Sequence, residues 1–558
     1  MTEITFLPSG KKITVGTGET ILQASEKAGV MIEAPCGSCG TCLKCKVRID
    51  PEHLQSVSEK RGHRLSGKEK AEGFVLACQT VVHGDITVHV PEAADDRSLK
   101  ILSDGESFRY GISPAFTKKY DPASDVTGLF YEGTSVGLEP GDTERTLYGI
   151  VVDIGTTTLV VSLIDMTDGS EKGSVSSLNP QAKIGQDVLS RIRHASEEKG
   201  LSELHGMFID ELNRSIDALA AAHGVNRSGI YEIIFSGNTC MLHLAVRENP
   251  ASLGKYPFIP VEKGHSRRHA SDLGIHASPY AVVYLPPNIS AYVGADITSG
   301  ILATALGDKK GSVLFIDIGT NGEMALAVNG GISATSTAAG PAFEGMNIEF
   351  GMRAANGAVE SFDIADDGQR VSVGVIGETA PTGICGSGLL DIAGELVAHG
   401  IVNKQGKFVK PDQTAFPPEI AGRFIERDGK TCFRIDGDIV ITQKDIRQIQ
   451  LAKGAIRAGI EFLMKNGCIE SSGVTEVLIA GSFGYHLKTK SLFNIGLLPK
   501  EFDGRVRMVG NTSKTGGLAF LLNSSFRGKM ADLVGKIDVI ELSNCKDFDR
   551  VFIETLSF

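Results

Sequence analysis

Ile150-Val151-Val152-Asp153-Ile154-Gly155-Thr156-Thr157-Thr158-Leu159-Val160-Val161 reads as an apolar strand, a tight Gly-Thr turn and a second apolar strand. Leu314-Phe315-Ile316-Asp317-Ile318-Gly319-Thr320-Asn321-Gly322-Glu323-Met324-Ala325-Leu326 repeats the design further along the chain. Each hairpin ends its first strand on an acid and turns through residues that offer backbone N–H and hydroxyl donors. Such donors hold polyphosphate oxygens, and a carboxylate beside them can organise a hydrated Mg²⁺. One Asp-x-Gly-Thr stretch is equally well an ordinary hairpin turn; two equivalent copies in one chain are far more specific. Asp153 and Asp317 are then the candidate acids for a hydrated Mg²⁺. Gly155, Thr156, Thr157, Thr158, Gly319, Thr320, Asn321 and Gly322 are candidate polyphosphate contacts. No G-x-x-x-x-G-K-[ST] stretch occurs, which argues against a P-loop NTPase.

The twin hairpins resemble the phosphate-1 and phosphate-2 motifs of the actin, heat-shock chaperone and sugar kinase superfamily. Glu476-Val477-Leu478-Ile479-Ala480-Gly481-Ser482-Phe483-Gly484, a strand into a glycine turn, resembles its adenosine motif, with Gly481, Ser482, Phe483 and Gly484 as the contacts. The resemblance implies two ribonuclease-H-like lobes that close over a nucleotide. Gly383-Ile384-Cys385-Gly386-Ser387-Gly388 leads into an apolar helix. Backbone amides at such a start attract anions, so Gly386, Ser387 and Gly388 are candidate phosphate or adenosine contacts. A tight packing turn between helix and sheet is the alternative. From Thr442 the chain reads as an amphipathic helix with a threonine N-cap. Its Lys453 and Arg457 read as solvated helix charges, with reach to a nucleotide as the alternative.

Near the N-terminus, Ala34-Pro35-Cys36-Gly37-Ser38-Cys39-Gly40-Thr41-Cys42-Leu43-Lys44-Cys45 is answered by Cys78. Three thiolates from one glycine-rich loop plus one distant thiolate are what a [2Fe–2S] cluster requires. Cys36, Cys42, Cys45 and Cys78 give C-x5-C-x2-C and a distant Cys, one residue longer in the loop than the plant-type spacing. The longer loop resembles that of adrenodoxin-like ferredoxins and leaves Cys39 surplus. Overlapping C-x2-C pairs could also bind zinc or begin a [4Fe–4S] site. No proline follows Cys45 as in the bacterial run, and zinc would leave Cys78 without a role. Ile4–Leu7, Lys12–Val15 and Ile86–Val90 read as strands and Thr20 opens a helix, an arrangement resembling the β-grasp ferredoxin fold.

The chain of 558 residues carries a formal net charge of −11, which argues against sequence-independent nucleic-acid binding. No apolar run is long enough to span a membrane, and the first residues lack the pattern of a signal peptide. A cytoplasmic protein is expected. Ten cysteines in that setting read as ligands and buried thiols, with Cys240, Cys385, Cys432, Cys468 and Cys545 as buried or semi-buried thiols. The pattern is multidomain α/β: residues 1–92 a ferredoxin-like domain, 93–146 a polar, irregular linker, 147–308 a first ATPase lobe and 309–558 a second.

Taken together, the chain resembles the reductive activators of corrinoid-dependent enzymes. The resemblance runs through the cluster loop; Tyr148 to Thr158; Asn179-Pro180-Gln181 with Gly185 to Ile192; Ser236-Gly237-Asn238-Thr239 and Met241-Leu242-His243; and Val293-Gly294-Ala295-Asp296. It continues through the Asp317 loop, Gly383 to Gly388, the Ala480 turn and Ile495 to Pro499. Cys39 and a linker shorter than expected depart from it. It implies ATP-dependent, one-electron reduction of inactive Co(II) to Co(I) on a corrinoid protein of a methyltransferase system. It also implies an upstream low-potential electron donor, and a homodimer is compatible with it. A cluster near about −400 mV falls short of what Co(II) demands; at about 59 mV per decade, a gap of roughly 200 mV disfavours transfer by about three decades unless ATP offsets it. In that picture Asp153 and Asp317 organise Mg²⁺ and water, while Thr156, Thr157, Thr320 and Asn321 clamp phosphates. A small-molecule kinase, a plain electron carrier and an activator of a radical dehydratase are the alternatives; the last fits the N-terminus poorly.

Overall fold

Tyr148–Ile154 and Thr158–Asp165 pair antiparallel with Asp153 opposite Val160, as the repeated sequence predicts. This computed structural model describes the chain except residues 1, 17, 29, 31, 33–44, 61–64, 66, 91–109, 413, 428 and 482–486. Glu171–Leu178 extends the hairpin antiparallel on one side. On the other side lie Ile230–Gly237 and Val282–Leu285, both parallel, and then antiparallel Ser266–His269. The central strands are near-continuous apolar runs because both faces of the sheet are covered. Helix Glu198–His223 covers one face, burying Leu204, Phe208, Leu212 and Ile216 against Val152, Val161 and Phe235.

The second hairpin, Ser312–Ile318 with Gly322–Val328, builds a sheet with the same order of central strands. Gly331–Thr337 lies on one side, with Glu476–Ala480 and Val506–Gly510 parallel on the other. This duplication is the paired ribonuclease-H-like architecture that the twin motifs imply. Helix Gln443–Asn466 packs on this sheet, and its Thr442 and Asp445 form a capping box.

Helices Ala295–Ala303 and Thr512–Leu522 pack on each other between the sheets, in a core that includes Val151, Ile234, Phe315 and Leu478. Their approach depends on Gly516, where a Cβ would meet the Ser299 carbonyl at 2.1 Å. The lobes therefore share one seam.

Two compact units divide the chain: residues 1–96 with 181–186, and the remainder. In the first, the strand order is Lys11–Val15, Thr2–Leu7, Ile86–His89, Lys46–Ile49, Phe74–Leu76. Thr2–Leu7 runs parallel to Ile86–His89, and helix Ile21–Lys27 follows the first hairpin, which is the β-grasp arrangement. Among the described residues no helix is long and apolar enough to cross a membrane.

The expected linker is corrected by the structure. Within 93–146, Phe116–Asp121, Val126–Tyr131 and Thr134–Pro140 form an antiparallel meander. Phe116, Leu129 and Tyr131 bury into the seam core, and Lys118 donates to Tyr231 Oη at 2.7 Å and lies 2.8 Å from Glu139. Polar residues on the outer face hide the strand alternation in the sequence. Lys453 is likewise neither solvated nor at the nucleotide turns. It is buried, donates to the Ser557 carbonyl, and burial lowers its pKa to about 7. Arg457 pairs with Glu461 at 2.7 Å. Cys240, Cys385 and Cys432 are buried and Cys545 partly so, whereas Cys468 is exposed.

Buried Arg527 joins the meander, first sheet and C-terminal helices, bonding Glu232 at 2.7 Å and Tyr131 Oη at 2.9 Å, with its guanidinium over Tyr284. Removing one partner of a buried pair strands the other charge. We expect Arg527→Met to destabilise the larger unit by about 3–5 kcal/mol, measured by calorimetry; a change below about 1 kcal/mol, typical of an exposed pair, would contradict the burial argument.

Candidate nucleotide site and cluster cysteines

Both Gly-Thr turns open on one cavity of about 120 Å³. Gly155, Thr156, Thr157 and Thr158 line it from the first hairpin and Gly319, Thr320 and Asn321 from the second, with Asp153, Asp317 and Gly481. Thr157 Oγ1 and Thr320 Oγ1 lie 3.3 Å apart, so the turns meet. Gly322 begins the strand after the second turn and pairs with Ile318. Gly386, Ser387 and Gly388 are buried and do not line the cavity; a Cβ on Gly388 would meet the Val359 carbonyl at 2.0 Å. Ser482, Phe483 and Gly484 lie outside the described residues.

The first turn is held from beneath. Asn179 Nδ2 donates to the Gly155 carbonyl at 2.8 Å, and buried Arg191 donates to the Thr156 carbonyl. Asn238 Nδ2 donates to Thr156 Oγ1 at 3.1 Å, while its Oδ1 caps helix Thr239–Ala245 through the Met241 N–H. Asp153 accepts from Asn511 Nδ2 at 2.8 Å and from Ser513 Oγ at 2.7 Å, and Asn511 also caps helix Thr512–Leu522.

Three further acids line the cavity that sequence reasoning did not select: Asp296, Glu323 and Glu344. Glu323 stands opposite Asp317 in the hairpin register, a signal the quoted stretch already contained. Asp296 sits in the first turn of helix Ala295–Ala303. Glu344 ends the short turn Pro341–Glu344 and accepts from Thr320 Oγ1 at 2.8 Å; nothing in the local sequence marked it. Glu323 Oε1 and Glu344 Oε2 are buried without a hydrogen-bond partner.

Burial raises every one of these carboxyls. Asp317 is pushed up to about 8, first by burial and then by the charges of Asp296, Asp153 and Glu344. Burial pushes Asp296 to about 7 and holds Glu323 well above the carboxylate range, with Asp296 and Asp317 adding to the latter. Burial also raises Asp153, against the bonds from Ser513 and Asn511, and Glu344, against those from Thr157 and Thr320. Such a cluster favours protons or a cation. Among the described residues no group of three or more His, Cys, Asp or Glu is set to hold a metal ion.

In the smaller unit, Cys45 and Cys78 are both buried with their sulfurs 3.2 Å apart. They meet because Lys46 pairs with Leu76 across antiparallel strands and the Ala77 N–H donates to the Cys45 carbonyl at 2.8 Å. The Gln79 amide lies 3.6 Å from Cys78 Sγ. Cys36, Cys39 and Cys42 lie outside the described residues.

Two lobes with facing Gly-Thr turns, in a chain that also carries a β-grasp unit with paired thiols, define a ferredoxin-linked protein of the actin and sugar kinase fold class. Residues 4–83 match the model of the 2Fe-2S iron-sulfur cluster binding domain, 148–309 that of the RACo middle region, and 311–558 that of the C-terminal domain of RACo, the ASKHA domain. The chain is 36% identical to the corrinoid activation enzyme RamQ of Eubacterium limosum over 98% of its own length and 96% of that protein. It is 24% identical to the [Co(II) methylated amine-specific corrinoid protein] reductase of Methanosarcina barkeri, over 74% of this chain and 77% of that one. The solved structure of a reductive activator for corrinoid,iron-sulfur protein matches with a TM-score of 0.74 and 29% identity, covering 100% of this chain and 98% of that one. The chain belongs to the RACo-type family of corrinoid reductive activators.

The acid cluster has a signed pH dependence. Asp296 and Asp317 bind protons more tightly folded than unfolded, so their contribution is full below about pH 4 and is lost as pH rises through about 7 and 8. We expect the metal-free protein to melt at lower temperature as pH rises from 5 to about 8, with Asp317→Asn flattening that slope and Mg²⁺ with ATP restoring stability at the alkaline end. Equal slopes for wild type and Asp317→Asn in calorimetry would refute the assignment.

Proposed function

We propose that the chain activates a corrinoid protein by ATP-dependent, one-electron reduction of inactive Co(II) to Co(I), with the electron carried on a [2Fe–2S] cluster. The end-to-end likeness to RamQ carries this reading, and the paired thiols and facing phosphate turns supply the parts it needs. When bound, the cluster provides a one-electron centre near about −400 mV, and MgATP provides the free energy that offsets an uphill transfer.

The residues divide the work. Cys45 and Cys78, 3.2 Å apart, would serve one iron, and Cys36 and Cys42 the other, since four thiolates share two irons. The burial of Cys45 and Cys78 keeps water from their sulfurs and lowers the reorganisation that accompanies a change of charge. The amides and hydroxyls of Thr156, Thr157, Thr320 and Asn321 would hold phosphate oxygens. Asp153 and Asp317 would orient a hydrated Mg²⁺ and the attacking water. Glu344, whose Oε2 has no hydrogen-bond partner, would accept a proton from that water while Thr320 fixes its other oxygen. The Thr157–Thr320 contact joins the two lobes at the phosphates, so hydrolysis would be felt by both. An upstream low-potential donor would reload the cluster.

Anaerobic absorbance tests the reading. A Co(II) corrinoid protein mixed with this chain, a low-potential reductant and MgATP should accumulate Co(I), with the yield falling when ATP is omitted. Asp153→Ala or Asp317→Ala should lower ATP turnover by about two or more orders of magnitude while leaving the iron–sulfur spectrum intact. Cys78→Ala should lose the cluster and Cys39→Ala should keep it. Full Co(I) formation without ATP, or a cluster that survives Cys78→Ala, would refute the corresponding part.

A further inference from the structure

Outside the nucleotide site, the first lobe carries a loop that exposes large apolar side chains in a built setting. Between the turn Pro250–Gly254 and the edge strand Ser266–His269, Tyr256 is 80% exposed, Ile259 56% and Val261 57%. Between them Phe258 packs inward against Tyr292, with ring centroids 5.5 Å apart. The far end is fixed by Glu262, which accepts from Arg268 at 2.6 Å and from the Gly264 N–H at 2.8 Å. Exposed apolar side chains on a pinned backbone mark an interaction surface. Lys255 and Lys263 flank the patch, both exposed and without an ion pair among the described residues, in a chain of net charge −11.

The loop is also tied to the first phosphate turn. His243 Nδ1 donates to the Thr239 carbonyl at 2.7 Å, which leaves Nε2 to accept from the N–H groups of Val261 at 3.2 Å and Glu262 at 3.1 Å. His243 lies on helix Thr239–Ala245, whose N-cap Asn238 bonds Thr156 Oγ1 at 3.1 Å. One short buried helix thus joins the exposed loop to a nucleotide ligand. Helix Val188–Ala195 makes a second link: Arg191 holds the Thr156 carbonyl, Leu189 is exposed, and the helix packs on Pro250–Gly254.

We infer that the loop of residues 255–263 is the surface on which the corrinoid protein docks, through an apolar patch rimmed by carboxylates on that partner. The inference rests on the proposed function. A partner whose activation depends on ATP must sense the nucleotide, and this patch is wired to Thr156, while its two free lysines select an acidic rim.

The test uses the full-length, cluster-loaded chain and a purified Co(II) corrinoid protein that the wild type reduces. Tyr256→Ala/Ile259→Ser/Val261→Ser should raise the half-saturating concentration of corrinoid protein by about tenfold or more, with ATP affinity, melting temperature and iron–sulfur spectrum unchanged. Lys255→Glu/Lys263→Glu should do the same more weakly and reduce the salt dependence of association. Ile553→Ser, at a residue 65% exposed elsewhere on the surface, should change nothing. Wild-type half-saturation in both loop variants would overturn the inference. So would loss of self-association in ultracentrifugation, or of binding to anionic lipid vesicles, with corrinoid saturation unmoved. A wild-type chain that reduces no corrinoid protein with MgATP would overturn the proposed function and this inference together, an outcome distinct from a loop variant that reduces normally.

Discussion

Acids crowded around one small cavity govern the larger unit. A carboxylate taken out of water must find a proton, a cation or directed hydrogen bonds, because the charge alone is too costly to bury. Asp153 and Asp317 end equivalent strands of two sheets, Asp296 begins a seam helix, and Glu323 faces Asp317 across a hairpin. The duplicated fold thus brings like charges together, and hydrogen bonds from Asn511, Ser513 and Thr320 hold them in place. Protons or a cation would relieve that crowding, so charge in the cavity and the placing of the lobes belong to one electrostatic balance.

The seam shows how the lobes stay in register. Helices Ala295–Ala303 and Thr512–Leu522 come close only because Gly516 presents no side chain to Ser299. Closely packed surfaces resist continuous deformation and favour discrete arrangements. Hydrogen bonds that cross the seam, such as Ser513 to Ser236 at 3.0 Å, make a displacement of one lobe a displacement of the other's ligands.

Much of this was legible in the sequence, for identifiable reasons. The hairpins were readable because an acid, a glycine and hydroxyl residues recur at one spacing between apolar runs. The β-grasp strands and the threonine N-cap at Thr442 were readable from local pattern alone. What escaped was non-local. The meander of residues 116–140 carries charge on its outer face and buries Lys118 against Glu139, so its periodicity reads as polar coil. Lys453 looks like a surface charge until the chain end folds over it. Glu344 acquires meaning only when Thr320, from another hairpin, arrives beside it. Gly388 showed the same glycine signature as the phosphate turns, yet its close neighbour is the Val359 carbonyl.

The order in which the chain is synthesised gives the bonds at Asp153 a second meaning. Asp153 and its partner Asn511 are 358 residues apart, and the Ser513 bond spans 360. A nascent polypeptide can lay down the whole first sheet and both turns and still lack the groups that hold this acid. The face of that sheet which meets Thr512–Leu522 also stays uncovered until then, the state in which folding intermediates aggregate or recruit chaperones. Completion of the site is therefore deferred until Asn511 and Ser513 have been made, so a truncated chain that stops before Asn511 cannot assemble the intact support of Asp153.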